Sequence, residues 1–152
     1  MEMKLPDLVP HGGRMLLLDE VTAYAAASGV LTASFTVRAD NVFFDSAVNG
    51  LPGWIAIELM AQTAAACAGA YDRSRAPDAS PRPGLLLGSR RVDLSGGDYL
   101  LGETYSVAAT QSFHDDESGA FDCTVRDAQG RTMASCILTA YRPSDFTAFI
   151  KS

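Results

Sequence analysis

The sequence predicts an α+β domain, one long central helix wrapped by a curled antiparallel sheet, and three observations carry that expectation. The run Trp54–Tyr71 is almost wholly apolar or small and is opened by Pro52-Gly53. Ahead of it, Val30, Thr32, Ser34 and Thr36 alternate with Leu31, Ala33, Phe35 and Val37, the period-two pattern of a half-buried strand. Beyond it, the chain from Leu85 reads as strands broken by turns. A single long helix among consecutive strands gives segregated α+β layering.

The elements follow in order. Residues 3–9 suit a short helical turn, which Pro10 and Gly12-Gly13 interrupt. Met15–Tyr24 reads as a strand, Ser28-Gly29 as a turn and Val30–Val37 as the next strand. Asn41–Leu51 is irregular. The helix Trp54–Tyr71 is then about 27 Å long at about 1.5 Å per residue, so other elements must wrap it. Pro77, Pro81 and Pro83 make Asp72–Gly84 a surface loop. Leu85–Asp93 is a strand, Gly96-Gly97-Asp98 a turn, and Gly102–Phe113 a long strand with Tyr105, Val107 and Ala109 on one face. His114–Gly119 is an acidic loop. Phe121, Cys123 and Val125 pair through Asp127-Ala128-Gln129-Gly130 with Ala134, Cys136, Leu138 and Ala140 as a hairpin.

Length and composition bound the function. The 152 residues form one domain, 1–152, with 47% hydrophobic and 20% charged residues, an ordinary globular balance. A net charge of −6 argues against nucleic acid as a partner. Glu58, Gln62 and the small residues around them make Trp54–Tyr71 a buried helix rather than a membrane span. The first residues lack a basic segment followed by an apolar run, so no secretory signal and a cytoplasmic location are expected. Cys67, Cys123 and Cys136 have no metal spacing. Cys123 and Cys136 can face each other across the hairpin, and reduced core thiols are expected.

Glu58 stands out chemically. Its helical neighbours Trp54, Ile55 and Ala61 are apolar, and only Gln62 shares its face as a polar group. A carboxylate in such company is paired, protonated or used. Gln62 either holds Glu58 or is a satisfied core amide. The first backbone N–H groups of a helix have no intrahelical acceptor and sit at its positive end. The Gly53 N–H therefore either binds a developing oxyanion or merely starts the helix. No phosphate loop, metal-ligand cluster or Ser/His/Asp motif is present, so cofactor-free chemistry is expected.

The same residues carry a resemblance. Pro52-Gly53, an apolar stretch, Glu58 and Met60-Ala61-Gln62 resemble the central helix of the hotdog-fold 3-hydroxyacyl-[acyl carrier protein] dehydratases. Pro10-His11 through Asp19 is similar to their N-terminal Pro-His segment, and Arg91 through Gly97-Asp98 to their Arg-rich strand and Gly-Asp turn. The likeness spans roughly residues 5–142 and is nearest to the dehydratase-like proteins of aryl polyene pathways. It departs from the family at Phe44, where the housekeeping enzymes carry a histidine.

The resemblance implies a fold, a reaction and partners. The fold is hotdog. The reaction is loss of water from a 3-hydroxyacyl thioester on an acyl carrier protein, giving the trans-2-enoyl thioester of fatty-acid-like or aryl polyene biosynthesis. Glu58 would move a proton to or from the β-hydroxyl, and the Gly53 N–H would hold the thioester oxygen. His11 is either the base that takes the α-proton or a structural residue. Phe44, Trp54, Phe43 and Met60 would line an acyl tunnel; Asp45 would position substrate or close its loop. Gln62 would hold Glu58 or a water. In relatives the site lies between subunits, which implies a homodimer. Arg73, Arg75, Arg82, Arg90 and Arg91 are either a docking patch for the acidic carrier or plain surface. Two rivals remain: a hotdog thioesterase, and a non-catalytic subunit that binds acyl chains or supports an active partner.

Overall fold

The computed structural model describes residues 4–8, 15–78, 85–114 and 118–141. Among these, the elements in chain order are α1 (Leu5–Leu8), β1 (Glu20–Ala25), β2 (Val30–Thr36), β3 (Gly50–Leu51), α2 (Ile55–Arg75), β4 (Leu85–Asp93), β5 (Tyr99–Leu100), β6 (Thr104–His114), β7 (Ser118–Arg126) and β8 (Thr132–Tyr141). Six strands make one antiparallel sheet in the order β1-β2-β6-β7-β8-β4, and β3 pairs with β5 in a separate two-stranded piece.

Strand alternation decides which face meets α2. Leu31, Ala33 and Phe35 of β2, Tyr105, Val107 and Ala109 of β6, and Phe121, Cys123 and Val125 of β7 are all buried. They meet Ile55, Leu59, Met60 and Cys67 of α2, none of which is exposed at all. Each fully buried Leu, Ile or Met side chain contributes roughly 1.5–3 kcal/mol. α1 covers part of the outer side of α2 at Gly69. A Cβ there would collide with the Leu8 carbonyl, so only glycine permits this approach.

Four boundaries differ from expectation. β6 runs to His114 and β7 begins at Ser118, both inside the expected loop His114–Gly119. α2 runs on to Arg75, with Arg73 and Arg75 in its last turn, where cations favour the negative helix end. Met15–Asp19 is not a strand, because a helix side chain takes up part of its backbone, as described below. β3 and β5 are two residues each and carry no periodicity to read. The sheet ends on β4, whose residues 88–93 are all exposed, with a bulge between Arg90 and Asp93 and Arg91 at φ 52°. Unpaired edges of this kind tend to be covered or paired. No helix among the described residues is long and apolar enough to cross a membrane.

Candidate active site

Glu58 lies in the first turn of α2, half-buried. Gln62, one turn on, is fully buried, and every polar group of its amide is engaged. Its Nε2 donates to Glu58 Oε1 at 3.0 Å and to the Met15 carbonyl at 2.7 Å. Its Oε1 accepts the Leu17 N–H at 2.9 Å. Gln62 thus ties the 15–17 segment to α2 and fixes the Glu58 carboxylate. Gln62 is thus both a fully satisfied buried amide and a partner of Glu58.

The α2 N-terminus is already occupied by a protein carboxylate. Residues 52–57 form a tight first turn, with Ile55 N–H to the Pro52 carbonyl at 3.0 Å and Ala56 N–H to Gly53 at 3.2 Å. Trp54 is the N-cap and offers no side-chain cap. Asp98 binds just ahead of it: the Gly53 N–H, one residue before the N-cap, donates to its Oδ1 at 2.8 Å. An anion at this position suits the positive end of the helix. The Gly53 N–H expected to hold a thioester oxygen is therefore used within the chain. The approach is close: a Cβ at Gly53 would lie 2.9 Å from the Gly97 carbonyl.

The loop before α2 is built by Asp45. Its backbone pairs with Gly50, and its Oδ1 accepts the Ala47 N–H at 2.9 Å. Asp45 closes its loop, one of its two expected roles. Phe44 is half-buried against the core, its N–H on the Asn41 carbonyl at 2.9 Å. An aromatic ring there has no group to accept a proton. Phe43 meets Trp54 edge-on at 5.8 Å, and Trp54 is 56% exposed, so its ring lies on the surface rather than lining an enclosed tunnel within this chain. Met60 is buried in the core. His11, Arg14 and Arg82 lie outside the described residues.

Four of the five arginines lie among the described residues. Arg75 donates to the Tyr71 hydroxyl at 3.0 Å and lies over its ring, and Arg73 donates to the Pro77 carbonyl at 2.7 Å. Both lie in the last turn of α2. Arg90 and Arg91 stand on the exposed β4 edge. Asp98 is the site residue that sequence reasoning missed. It was noted only as part of a turn, and its partner is 45 positions away.

A long helix laid on a six-stranded antiparallel sheet is the hotdog arrangement. The family model described as ApeP-like, ApeP dehydratase, matches residues 3–151, and the chain belongs to that family. A chain of the dehydratase heterocomplex ApeI:P from Xenorhabdus doucetiae is 25% identical and superposes with a TM-score of 0.87 over 99% of this chain and 97% of that one. A hypothetical thioesterase protein with coenzyme A from Streptococcus pneumoniae TIGR4 shares the fold at 13% identity and TM-score 0.62, covering 82% of this chain and 84% of that one. The PaaI protein of the E. coli phenylacetic acid degradation operon does so at 14% and 0.61, covering 80% and 81%. Among curated proteins none is significantly similar.

Proposed function

We propose that this chain is the carboxylate-bearing subunit of a two-subunit dehydratase. The pair removes water from a 3-hydroxyacyl thioester carried on an acyl carrier protein, in aryl polyene assembly. One observation carries the reading: Glu58 is held in place by Gln62, while Phe44 stands where related dehydratases carry histidine. One half of the acid–base pair is kept and the other half is absent from that position.

The second subunit is a hotdog chain with the histidine. Its imidazole takes the α-proton, Glu58 protonates the departing β-hydroxyl, and water and the trans-2-enoyl thioester leave. The carrier's phosphopantetheine arm is part of the substrate. Two features support a non-identical partner. The Gly53 N–H is taken by Asp98, so the loop half of this chain lacks a free donor there as well as a base. The similar ApeI:P assembly is described as a heterocomplex. The exposed β4 edge offers the surface on which the second sheet pairs.

The test is a mass-spectrometric assay of 3-hydroxyacyl carrier protein with this chain alone and with a histidine-bearing hotdog subunit. Enoyl product is expected only from the mixture, with His11→Ala as active as wild type. Full turnover by this chain alone, lost in His11→Ala, would make His11 the base and remove the need for a partner. Free thiol without enoyl product would make the pair a thioesterase.

A further inference from the structure

Cys123 and Cys136 have no part in the proposed chemistry, yet the fold sets them against each other. They are direct register partners on β7 and β8. Both are free thiols, only 2% and 4% exposed. Antiparallel partners have Cα atoms about 4.5–5.5 Å apart. A disulfide spans about 4.4–6.8 Å between Cα atoms, so one fits here without moving either strand.

The surroundings are also sulfur-rich. Cys136 Sγ lies 3.6 Å from Met60 Sδ, and Cys123 Sγ lies 3.9 Å from the Met60 carbonyl. The Cys123 thiol also lies 3.8 Å from the Phe121 carbonyl. Cys67 is apart from this pair, its thiol on the Gly29 carbonyl at 3.4 Å, and burial pushes its pKa up to about 11.

We infer that Cys123 and Cys136 are an oxidation site, a dithiol that a small peroxide converts to a cross-strand disulfide in the folded protein. The step balances. The Cys136 sulfur attacks one peroxide oxygen, giving a sulfenic acid and one water. The Cys123 sulfur then displaces the hydroxyl as a second water, and the S–S bond forms. Two sulfurs each lose one electron, and the peroxide gains two. Burial makes entry of the oxidant the slow step. Formation of the bond draws Cys136 toward Cys123 and away from Met60, two residues beyond Glu58 on α2. The inference does not depend on the dehydratase reading.

Hydrogen peroxide treatment of the native protein, followed by alkylation and trypsin digestion, tests it. The three cysteines fall in separate tryptic peptides, 39–73, 92–126 and 132–151. The expected product is peptide 92–126 linked to 132–151, lighter by two hydrogens and released by dithiothreitol, with Cys67 alkylated. Cys136→Ala should abolish the linked species. The inference is overturned if all three thiols alkylate after peroxide. It is also overturned if the linkage forms only in denaturant, or if Cys67 is one of its ends. If Cys136→Ala does not fold, the wild-type peptide map decides alone.

Discussion

Gln62 uses both ends of its amide, and its loss should be felt in two places. Gln62→Ala leaves the Leu17 N–H and the Met15 carbonyl without their partner and frees Glu58 from its 3.0 Å bond. A buried polar group left unsatisfied costs about 1–3 kcal/mol. Urea unfolding should show a midpoint lowered to match, and turnover of the assembled enzyme should fall as well. An unchanged midpoint would mean that water replaces the amide at no cost. Asp98 makes a second residue-scale prediction. Its carboxylate accepts the Gly53 N–H just ahead of the positive end of α2. Asp98→Ala should lower stability by about 0.5–1 kcal/mol while the turnover number of the assembled pair stays as in wild type. A gain of activity by this chain alone would show instead that Asp98 blocks a working oxyanion site. Glu58 was legible as a lone acid on an apolar helix. Asp98 was not, because no local pattern links a turn residue to a helix start so distant in sequence.

At the scale of elements, the β7–β8 hairpin depends on Asp127. Its Oδ1 accepts the N–H groups of Arg131 at 2.9 Å and Gln129 at 3.0 Å, and Oδ2 accepts Arg131 Nε at 3.3 Å. The Arg131 backbone bond above all holds its carboxyl below the ordinary 3.8. A depressed carboxylate stabilises the fold above its unfolded pKa, and that contribution is lost as pH falls through the lower folded value. Asp127→Ala should therefore melt below wild type at neutral pH, with the gap closing as the pH drops under about 4. A gap constant with pH would assign the effect to turn geometry alone. This hairpin was readable from alternation and Gly130, which has the positive φ of 84° that the turn requires. The short β3 and β5 were not, since their pairing is set by long-range contacts. The helix outran its expected end because Asp72–Arg75 lies before the first proline of that loop, Pro77.

The described residues form a hotdog domain whose open sheet ends on β1 and β4, with Glu58 on the helix and Phe44 where related dehydratases carry histidine. The fold was legible because a single apolar helix and period-two strands leave few arrangements. The departure from the family histidine was legible too, at Phe44. What the sequence alone left open was whether the chain offers its own substitute. The described residues supply no base beside Glu58 from the loop, and Asp45 and the Gly53 N–H serve the loop and the helix start. The account therefore rests on Glu58 acting in a site shared with another chain. The most direct measurement is turnover of 3-hydroxyacyl carrier protein by the reconstituted pair carrying Glu58→Gln in this chain, with complex formation checked by sedimentation. Removal of a proton-transfer group should lower the rate by about 10²–10⁴ with the complex intact. An intact complex with an unchanged rate would contradict the account and leave this chain as a non-catalytic support for its partner.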